Sequence, residues 1–221
     1  MHLPLRLRTI GDLIKTGEKV ADVGADHGLL ELYLIATHPG MEIVAIENKL
    51  GPYKNLQDTV SCLKNVRLSY SDGLTAVDKD VTTVVLAGMG GLNIKNIIEA
   101  NPLKLKRVGK IIIDAHRDQD IARKTIIEQG YKISQEIIVY EEEKYYVIGE
   151  FIRSETIPSY SEDELEFGYK LYNDKLWHQY KEFLIQKNNL LIEEIRNNEN
   201  MQDKVLNLKM MNERLEKYGK N

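Results

Sequence analysis

A single cysteine, Cys62, excludes an intrachain disulfide and a zinc site built from several thiolates. The chain also lacks the run of roughly 18 to 20 apolar residues that a membrane-spanning helix needs. Its first ten residues are too polar and too basic for the core of a signal peptide. The histidines and acidic residues show no ligand spacing, so no metal is expected. Together these absences predict a protein of the reducing cytoplasm without membrane association.

An excess of positive charge is missing as well. The formal net charge is −4, which argues against a protein that coats nucleic acid without selectivity. Basic residues do occur in local groups, and such groups can still contact phosphates on an acidic protein. For each group the alternative is an ordinary solvated surface. The candidates for phosphate contacts are Arg6, Arg8, Lys104, Lys106, Arg107 and Arg117.

Short apolar segments alternate with amphipathic ones as far as residue 152. Strand, helix and strand in repeated succession predict parallel pairing with right-handed crossovers. The last two β-rich segments, Tyr131–Tyr140 and Lys144–Ile152, are separated only by Glu141–Glu143, so they must pair antiparallel. The predicted fold is therefore α/β, with a Rossmann-like sheet that is parallel except for a closing antiparallel hairpin. This is the arrangement of class I S-adenosylmethionine-dependent methyltransferases.

The chain changes character after Pro158. From Glu162 to Tyr218 apolar residues recur at steps of three and four, without proline and without strand signals. This spacing predicts two long amphipathic helices, separated by the polar segment 197–200, that pair as an antiparallel coiled-coil hairpin. We therefore expect two domains, a Rossmann-like domain at 1–157 and a helical domain at 158–221.

The first predicted strand runs directly into the loop Asp22-Val23-Gly24-Ala25-Asp26-His27-Gly28. Strand, tight turn and helix in this order place a ligand at the carboxyl edge of the sheet, and the glycines let the backbone approach it closely. The two aspartates would repel the diphosphate of a dinucleotide, but they suit the amino group of an aminoacid-bearing cofactor. This charge argument favours S-adenosylmethionine over NAD. A structural turn without a ligand is the alternative.

Three further strand ends carry candidate ligand contacts. Glu47 ends the second strand, 25 residues after Asp22, where Rossmann-like sites accept the ribose hydroxyls. Asp72 and Gly73 follow the third strand, where an acidic or polar residue commonly reaches the adenine amino group. The glycine-rich segment 87–91 follows the fourth strand, where it would face the transferred methyl group and its acceptor. Its alternative is a glycine turn before a helix.

These motifs together resemble the bacterial tRNA adenine-22 N1-methyltransferase family, TrmK. The trailing helical hairpin resembles the C-terminal domain of that family as well. Membership implies a class I fold, S-adenosylmethionine as cofactor, and methylation of N1 of adenine 22 in the D-arm of tRNA, which the hairpin helps to bind. The resemblance rests on Arg6-Leu7, Asp22-x-Gly24-x-Asp26-His27, Gly51-Pro52, Asp72-Gly73-Leu74 and Ala87-Gly88-Met89-Gly90-Gly91.

The motifs and the resemblance imply a set of site residues. Asp26 would stabilise the base that becomes cationic on methylation, and His27 would orient Asp26 or contact the RNA. Catalytic roles are expected for Asp26, His27, Met89 and Gly90. Cofactor contacts are expected from Arg6, Asp22, Gly24, Asp26, Gly28, Glu47, Asn48, Gly51, Pro52, Asp72, Gly73, Ala87, Gly88 and Met89.

Two segments depart from the pattern of the family. Asp114-Ala115-His116 stands where the family usually has Gln-Pro-Asn, and Leu30-Glu31 where it usually has Leu-Pro. The first departure lies beside the expected base pocket, so it would change which contacts the target base receives. The alternatives are a methyltransferase of another RNA position or of a small molecule, and a non-catalytic RNA-binding scaffold. An oligomer is not indicated by the sequence.

Overall fold

The computed structural model describes residues 3–220. Residues 1, 2 and 221 of the two predicted domains lie outside this described part. The chain forms two compact units, of which the first ends at Ser159 and the second begins at Tyr160. The first unit contains the strands β1 (Val20–Val23), β2 (Ile43–Glu47), β3 (Val66–Tyr70), β4 (Thr83–Met89), β5 (Lys110–Ala115), β6 (Tyr131–Glu141) and β7 (Lys144–Arg153).

These strands form one sheet in the order β3-β2-β1-β4-β5-β7-β6. The first five strands pair parallel, whereas β7 lies antiparallel between β5 and β6. The Rossmann-like sheet with a closing antiparallel hairpin is therefore confirmed. Because β1 and β4 are neighbours while β2 and β3 extend to one side, the strand order reverses at β1, and this is where ligands bind in open α/β sheets.

Helices cover the sheet, and every residue of β1, β2 and β5 is buried. Burial on both faces explains why these strands read as continuous apolar segments rather than alternating ones. A short 3-10 helix at Pro102–Arg107 leads into β5. The helices of this unit are α1 (Leu5–Asp12), α2 (Leu29–Thr37), α3 (Leu50–Val60), α4 (Gly91–Ala100) and α5 (Gln119–Glu128).

Helix α1 was not among the predicted elements, and it matters because it carries Arg6. Its first two N–H groups, those of Leu5 and Arg6, donate to the carboxylate of Glu141 at the end of β6. Backbone donors at a helix start have no partner within the helix, so this distant carboxylate caps α1 and favours it electrostatically. Ile10, which follows Arg6 by four residues and so lies on the same side of the helix, is fully buried in the core. Arg6 is thereby held beside the end of β5.

The second unit is helical, but the prediction of its first helix is wrong. The helix expected from Glu162 to Ile195 is interrupted: α6 spans only Glu162–Phe167, and α7 (Trp177–Ile195) starts ten residues later. Gly168 ends α6 with φ +110°, a backbone conformation that a helix cannot continue through. Helix α8 (Gln202–Lys217) then returns along α7, and Asn212 hydrogen-bonds to both Asn188 and Asn189. The hairpin of α7 and α8 is as predicted.

No helix within residues 3–220 has both the length and the apolar character needed to cross a membrane. In the same part of the chain, no group of three or more His, Cys, Asp or Glu side chains is arranged to hold a metal ion.

Candidate functional site

Two adjoining cavities lie where β1, β2 and β4 end. The larger, of about 460 Å³, is lined by the ends of β1 to β4 and by the start of α4. The smaller, of about 210 Å³, lies between the β1–α2 loop, the end of β4 and α1. Gly24, Asp26, Ala87 and Gly88 line both cavities. A ligand that occupies both would therefore pass directly over the β1–α2 loop and the end of β4.

The β1–α2 loop is held in place by the backbone of its neighbouring strand. The N–H groups of Gly24 and Ala25 both donate to the Ile46 carbonyl, at 2.8 and 3.1 Å. Gly24 has φ +86°, and a Cβ there would lie 3.3 Å from Met89 Cε. The absence of a side chain at Gly24 thus keeps the passage between the cavities open. Asp26 itself has φ +46°, which places its exposed carboxylate at the corner of the turn.

Glu47 is fixed at the end of β2 by the residues that follow it. One of its carboxylate oxygens accepts the N–H groups of Asn48 and Lys49, at 2.9 and 2.8 Å. The Asn48 amide donates to Asp72 at 2.9 Å, which joins the ends of β2 and β3 across the larger cavity. The second oxygen of Glu47 is left to accept hydrogen bonds from a ligand, and one carboxylate can bind two vicinal hydroxyls.

The loop from β4 to α4 depends on glycine at two positions. Gly88 has φ +73° and lies at a bulge, where the pairing of β4 with β5 shifts. Gly91 packs directly against the next loop, because a Cβ at this position would lie 1.8 Å from the Asp118 carbonyl oxygen. Its N–H donates to the Arg117 carbonyl at 2.8 Å. The glycine-rich segment is therefore a tightly packed turn that borders both cavities.

The wall of the smaller cavity contains a charged cluster built around Asp114. This side chain is fully buried at the end of β5, and its Oδ2 is 3.1 Å from Arg6 Nη1 and 3.3 Å from His116 Nε2. Its other oxygen, Oδ1, accepts no hydrogen bond from the described residues. Tyr146 on β7 packs edge-on against the His116 ring and lies under the Arg6 guanidinium. Arg6 and His116 line the cavity, whereas Asp114 holds them from behind.

Asp22 presents a buried carboxyl group to the same cavity. Burial raises its pKa to about 7, a hydrogen bond from Glu31 lowers this pKa in part, and the charge of Glu47 raises it further. Glu31, on the first turn of α2, is fully buried. Burial and the neighbouring Asp22 charge raise the pKa of Glu31 well above its ordinary value. The two carboxyl groups therefore form one interacting pair, of which Asp22 lines the cavity and Glu31 does not.

The structure brings most of the predicted site residues together. Twelve of the fourteen residues predicted to bind the cofactor line one or both of the two cavities, and so does His27. Gly28, Gly51 and Gly90 line neither. Gly28 instead allows close helix packing, since a Cβ there would lie 2.8 Å from Val60 on α3. The predicted site residues that line a cavity are Arg6, Asp22, Gly24, Asp26, His27, Glu47, Asn48, Pro52, Asp72, Gly73, Ala87, Gly88 and Met89.

Several lining residues were not predicted. Asn93 and Ile97 stand four residues apart on α4, so both face the larger cavity, and Asn93 donates to Met89 Sδ at 3.6 Å. This helical spacing directly after the glycine-rich segment was a signal that could have identified them. Lys49 adds a cation to the larger cavity. His116 lines the smaller cavity, and it belongs to the segment that the sequence placed beside the base pocket.

The family model described as a methyltransferase domain matches residues 3–148. The chain belongs to this methyltransferase-domain family. The match covers the whole of the sheet except the end of β7, and it includes every lining residue of both cavities. The cavities are thus those of a methyltransferase domain.

Two similar proteins are tRNA adenine-22 methyltransferases, one of them putative. The chain is 28% identical over 152 residues to the tRNA (adenine(22)-N(1))-methyltransferase of Bacillus subtilis, a match that covers 67% of this chain and 64% of that relative. The match thus spans just under two thirds of the relative's length. The crystal structure of a putative tRNA (m1A22) methyltransferase from Streptococcus pneumoniae superposes with a TM-score of 0.83 at 25% identity, covering 96% of this chain and all of that one.

A second solved structure also matches this chain over nearly its whole length. The TrmK structure of M. capricolum in complex with S-adenosylhomocysteine superposes with a TM-score of 0.83 at 24% identity, covering 98% of each chain. These comparisons confirm the resemblance to the TrmK family that the sequence motifs indicate. The two structural superpositions extend over the helical unit as well as the methyltransferase domain.

The basic residues chosen from the sequence lie in two different places. Arg117 is 82% exposed and packs against Gly90, beside the end of β4. Lys104, Lys106 and Arg107 lie in the 3-10 helix before β5, which places them at the amino edge of the sheet, opposite the cavities. Lys104 also donates to the carbonyls of Thr75 and Val77. This second group is therefore remote from the site of chemistry.

Proposed function

We propose that the chain transfers a methyl group from S-adenosylmethionine to N1 of adenine 22 in the D-arm of tRNA. The observation that carries the proposal is the pair of adjoining cavities that meet at Gly24, Asp26, Ala87 and Gly88. One cavity has the acidic strand ends that suit an adenosine moiety, and the other has the buried carboxyl group of Asp22 together with the exposed carboxylate of Asp26. The similarity to tRNA adenine-22 methyltransferases supports the choice of acceptor.

The residues present fit the cofactor. Glu47 has one carboxylate oxygen available for the ribose hydroxyls, and Asn48 and Asp72 lie where the adenine edge is expected. Asp22 would accept the ammonium group of the aminoacid portion in the smaller cavity. The larger cavity contains three carboxylates and a single lysine, a charge balance that favours a cationic ligand over a diphosphate. S-adenosylmethionine supplies an electrophilic methyl group on a sulfonium ion.

Adenine N1 carries a lone pair at neutral pH, so the protein does not have to remove a proton before the transfer. Its contribution is to hold the base in line and to exclude water. The methylated ring becomes cationic, and the Asp26 carboxylate at the shared edge of the cavities would stabilise that charge. His27 Nε2 lies 3.5 Å from Asp26 and would orient it. Met89 and Gly88 form the wall against which the ring would lie.

The cluster around Asp114 is the part of the site that differs from the Gln-Pro-Asn of the resembled family. A carboxylate only accepts hydrogen bonds, so a neutral His116 beside Asp114 would carry its proton on Nε2 and leave Nδ1 as an acceptor. That nitrogen would receive the exocyclic amino group of the target adenine, because His116 lines the smaller cavity. Arg6 balances the charge of Asp114 on the other side.

The phosphates of the tRNA would contact exposed cations of the protein, some near the cavities and others farther along the molecule. Arg8 on α1 and Arg117 are exposed near the site, so they would contact phosphates close to the target base. Lys104, Lys106 and Arg107 at the amino edge would reach a more distant part of the tRNA, and the helical hairpin is a further candidate for tRNA binding. We place the reaction in the cytoplasm, as the single cysteine predicts.

The class of acceptor can be tested with radiolabelled S-adenosylmethionine. Unmodified bacterial tRNA, free adenosine and a panel of small amines are offered in parallel at equal concentration of acceptor. The proposal expects label in tRNA only, because contacts between the exposed cations and the tRNA phosphates would add to those that the base makes in the cavity. Label in a small molecule, with none in tRNA, would refute it.

A further inference from the structure

Glu31 is an unusual residue for its position. It lies on the first turn of α2, it is 0% exposed, and neither of its carboxyl oxygens accepts a hydrogen bond from a donor of the described residues. A buried carboxylate without donors is costly, because nothing replaces the water it loses. Its polar neighbour is the carboxyl group of Asp22, with which it is in hydrogen-bonding contact.

Two carboxyl groups in contact can hydrogen-bond only if one of them carries a proton. The direction of the bond follows from the surroundings of the two groups: Glu31 has no solvent exposure and no donor among the described residues, whereas Asp22 lines the smaller cavity. Glu31 is therefore the protonated donor, and Asp22 is the ionised acceptor. When the pair holds a single proton, its one negative charge is located on Asp22.

The two partners also differ in what they contact. Asp22 lines the smaller cavity together with Gly24 and Ala87. Glu31 lines neither cavity. It can therefore act on a ligand only through Asp22, by fixing the orientation of that carboxylate.

We propose that Glu31 is a positioning residue, whose carboxyl proton holds the Asp22 carboxylate toward the ammonium group of the cofactor. The proposal rests on the proposed function, since it requires that the aminoacid portion of S-adenosylmethionine lies in the smaller cavity. Glu31 stands where the resembled family usually has proline, so this positioning of Asp22 would be specific to the sequence of this chain.

Two ligands separate this role from a purely structural one. S-adenosylhomocysteine carries the ammonium group, whereas 5′-methylthioadenosine has the same adenosine and sulfur but lacks the aminoacid portion. If Glu31 acts through Asp22, its loss weakens only the first ligand. If Glu31 merely supports the fold of the β1–α2 loop, both ligands weaken together.

The experiment is calorimetric titration of both ligands into the full chain and into two variants. Glu31→Gln keeps an N–H donor for Asp22, and Glu31→Met fills a similar volume without any donor. We expect S-adenosylhomocysteine to bind Glu31→Gln within about twofold of the original affinity and Glu31→Met about tenfold more weakly, which corresponds to about 1.4 kcal/mol. The affinity for 5′-methylthioadenosine should be unchanged in both variants.

Chemical denaturation of the same samples shows that both variants are folded, and Glu31→Met should be at least as stable as the original because an apolar group replaces a buried carboxyl. Equal weakening of both ligands in Glu31→Met, or unchanged binding of S-adenosylhomocysteine, would overturn the role of Glu31 while leaving the proposed function intact. If the original chain binds neither ligand, the proposed function fails, and the inference fails with it.

Discussion

Asp26 combines an exposed carboxylate with a backbone conformation that few residues adopt. Its φ of +46° places it in the left-handed region, where asparagine and aspartate are better tolerated than most side chains. Asparagine is therefore a substitution that removes the charge but preserves the turn. Substitution of Asp26 by asparagine can therefore measure how much the negative charge contributes to methyl transfer, with the turn kept intact.

The substitution Asp26→Asn should lower the kcat of methyl transfer about a hundredfold, because the carboxylate no longer stabilises the cationic base. The Kd for S-adenosylhomocysteine should change less, by under about tenfold, since the product cofactor carries no sulfonium charge. Single-turnover rates and calorimetric titration measure the two quantities. An unchanged kcat would remove Asp26 from the mechanism.

The carboxyl pair of Asp22 and Glu31 predicts how stability depends on pH in the absence of cofactor. Burial raises both pKa values above those of the unfolded chain, to about 7 for Asp22. Groups with raised pKa values contribute stability that is fully present below their unfolded pKa and is lost as the pH rises through the folded pKa. The nearby charge of Glu47 acts in the same direction on Asp22.

The free energy of unfolding of the original chain should therefore fall relative to that of Glu31→Gln between pH 5 and pH 8. Glutamine does not titrate, so the variant lacks one of the two buried protons that must be lost. Urea unfolding at a series of pH values measures the difference. Parallel pH profiles for the two proteins would show that Glu31 is not protonated in the folded state.

At the scale of elements, two glycines in the first turns of helices provide a matched pair. A Cβ on Gly91, the first residue of α4, would lie 1.8 Å from the backbone oxygen of Asp118, whereas a Cβ on Gly51 in α3 would have nothing within 4 Å. Gly91→Ala should destabilise the chain by about 3 kcal/mol or more, because a backbone group would have to move.

The matched control, Gly51→Ala, should stabilise the chain by about 0.5 to 1 kcal/mol through the lower entropy of the unfolded state. Denaturant unfolding curves provide both values. Should the two substitutions have the same effect on the free energy of unfolding, the close packing of the β4–α4 turn against Asp118 would be refuted.

The sequence predicts the strands of the parallel sheet well because their burial on both faces leaves a direct apolar signal. It predicts their ends because charged and glycine residues follow immediately, as at Glu47 and Gly24. Helix α1 escaped prediction because it has only eight residues and its cap, Glu141, is more than a hundred residues away. The break at Gly168 escaped because a single glycine does not by itself interrupt an amphipathic pattern.

Within the site, the strand-end residues were predictable and the contacts between elements were not. Glu31 looked like an ordinary helical residue, since nothing in the sequence reveals that it meets Asp22. The placement of Lys104 to Arg107 was predictable in principle, because residues that precede a parallel strand lie at the amino edge, away from the ligand. Arg117 follows β5, so the same rule places it at the carboxyl edge, apart from this group.

At the scale of the whole molecule, the separation of these basic residues predicts different effects on tRNA. Arg117→Glu should raise the KM for tRNA about tenfold and weaken the salt dependence of binding, because a phosphate contact near the target base is lost. Lys106→Glu should have a smaller effect. Steady-state kinetics at several salt concentrations measure both, and the Kd for S-adenosylhomocysteine serves as the control. A larger effect from Lys106→Glu would place the RNA mainly at the amino edge.

The most direct test of the account is the position of the transferred methyl group. Unmodified bacterial tRNA and the same tRNA with guanine in place of adenine 22 are incubated with labelled S-adenosylmethionine, and the modified nucleoside is identified and mapped. The account predicts N1-methyladenine at position 22 in the first tRNA and no label in the second. Equal labelling of both tRNAs, or a methyl group on any other base or atom, would contradict it.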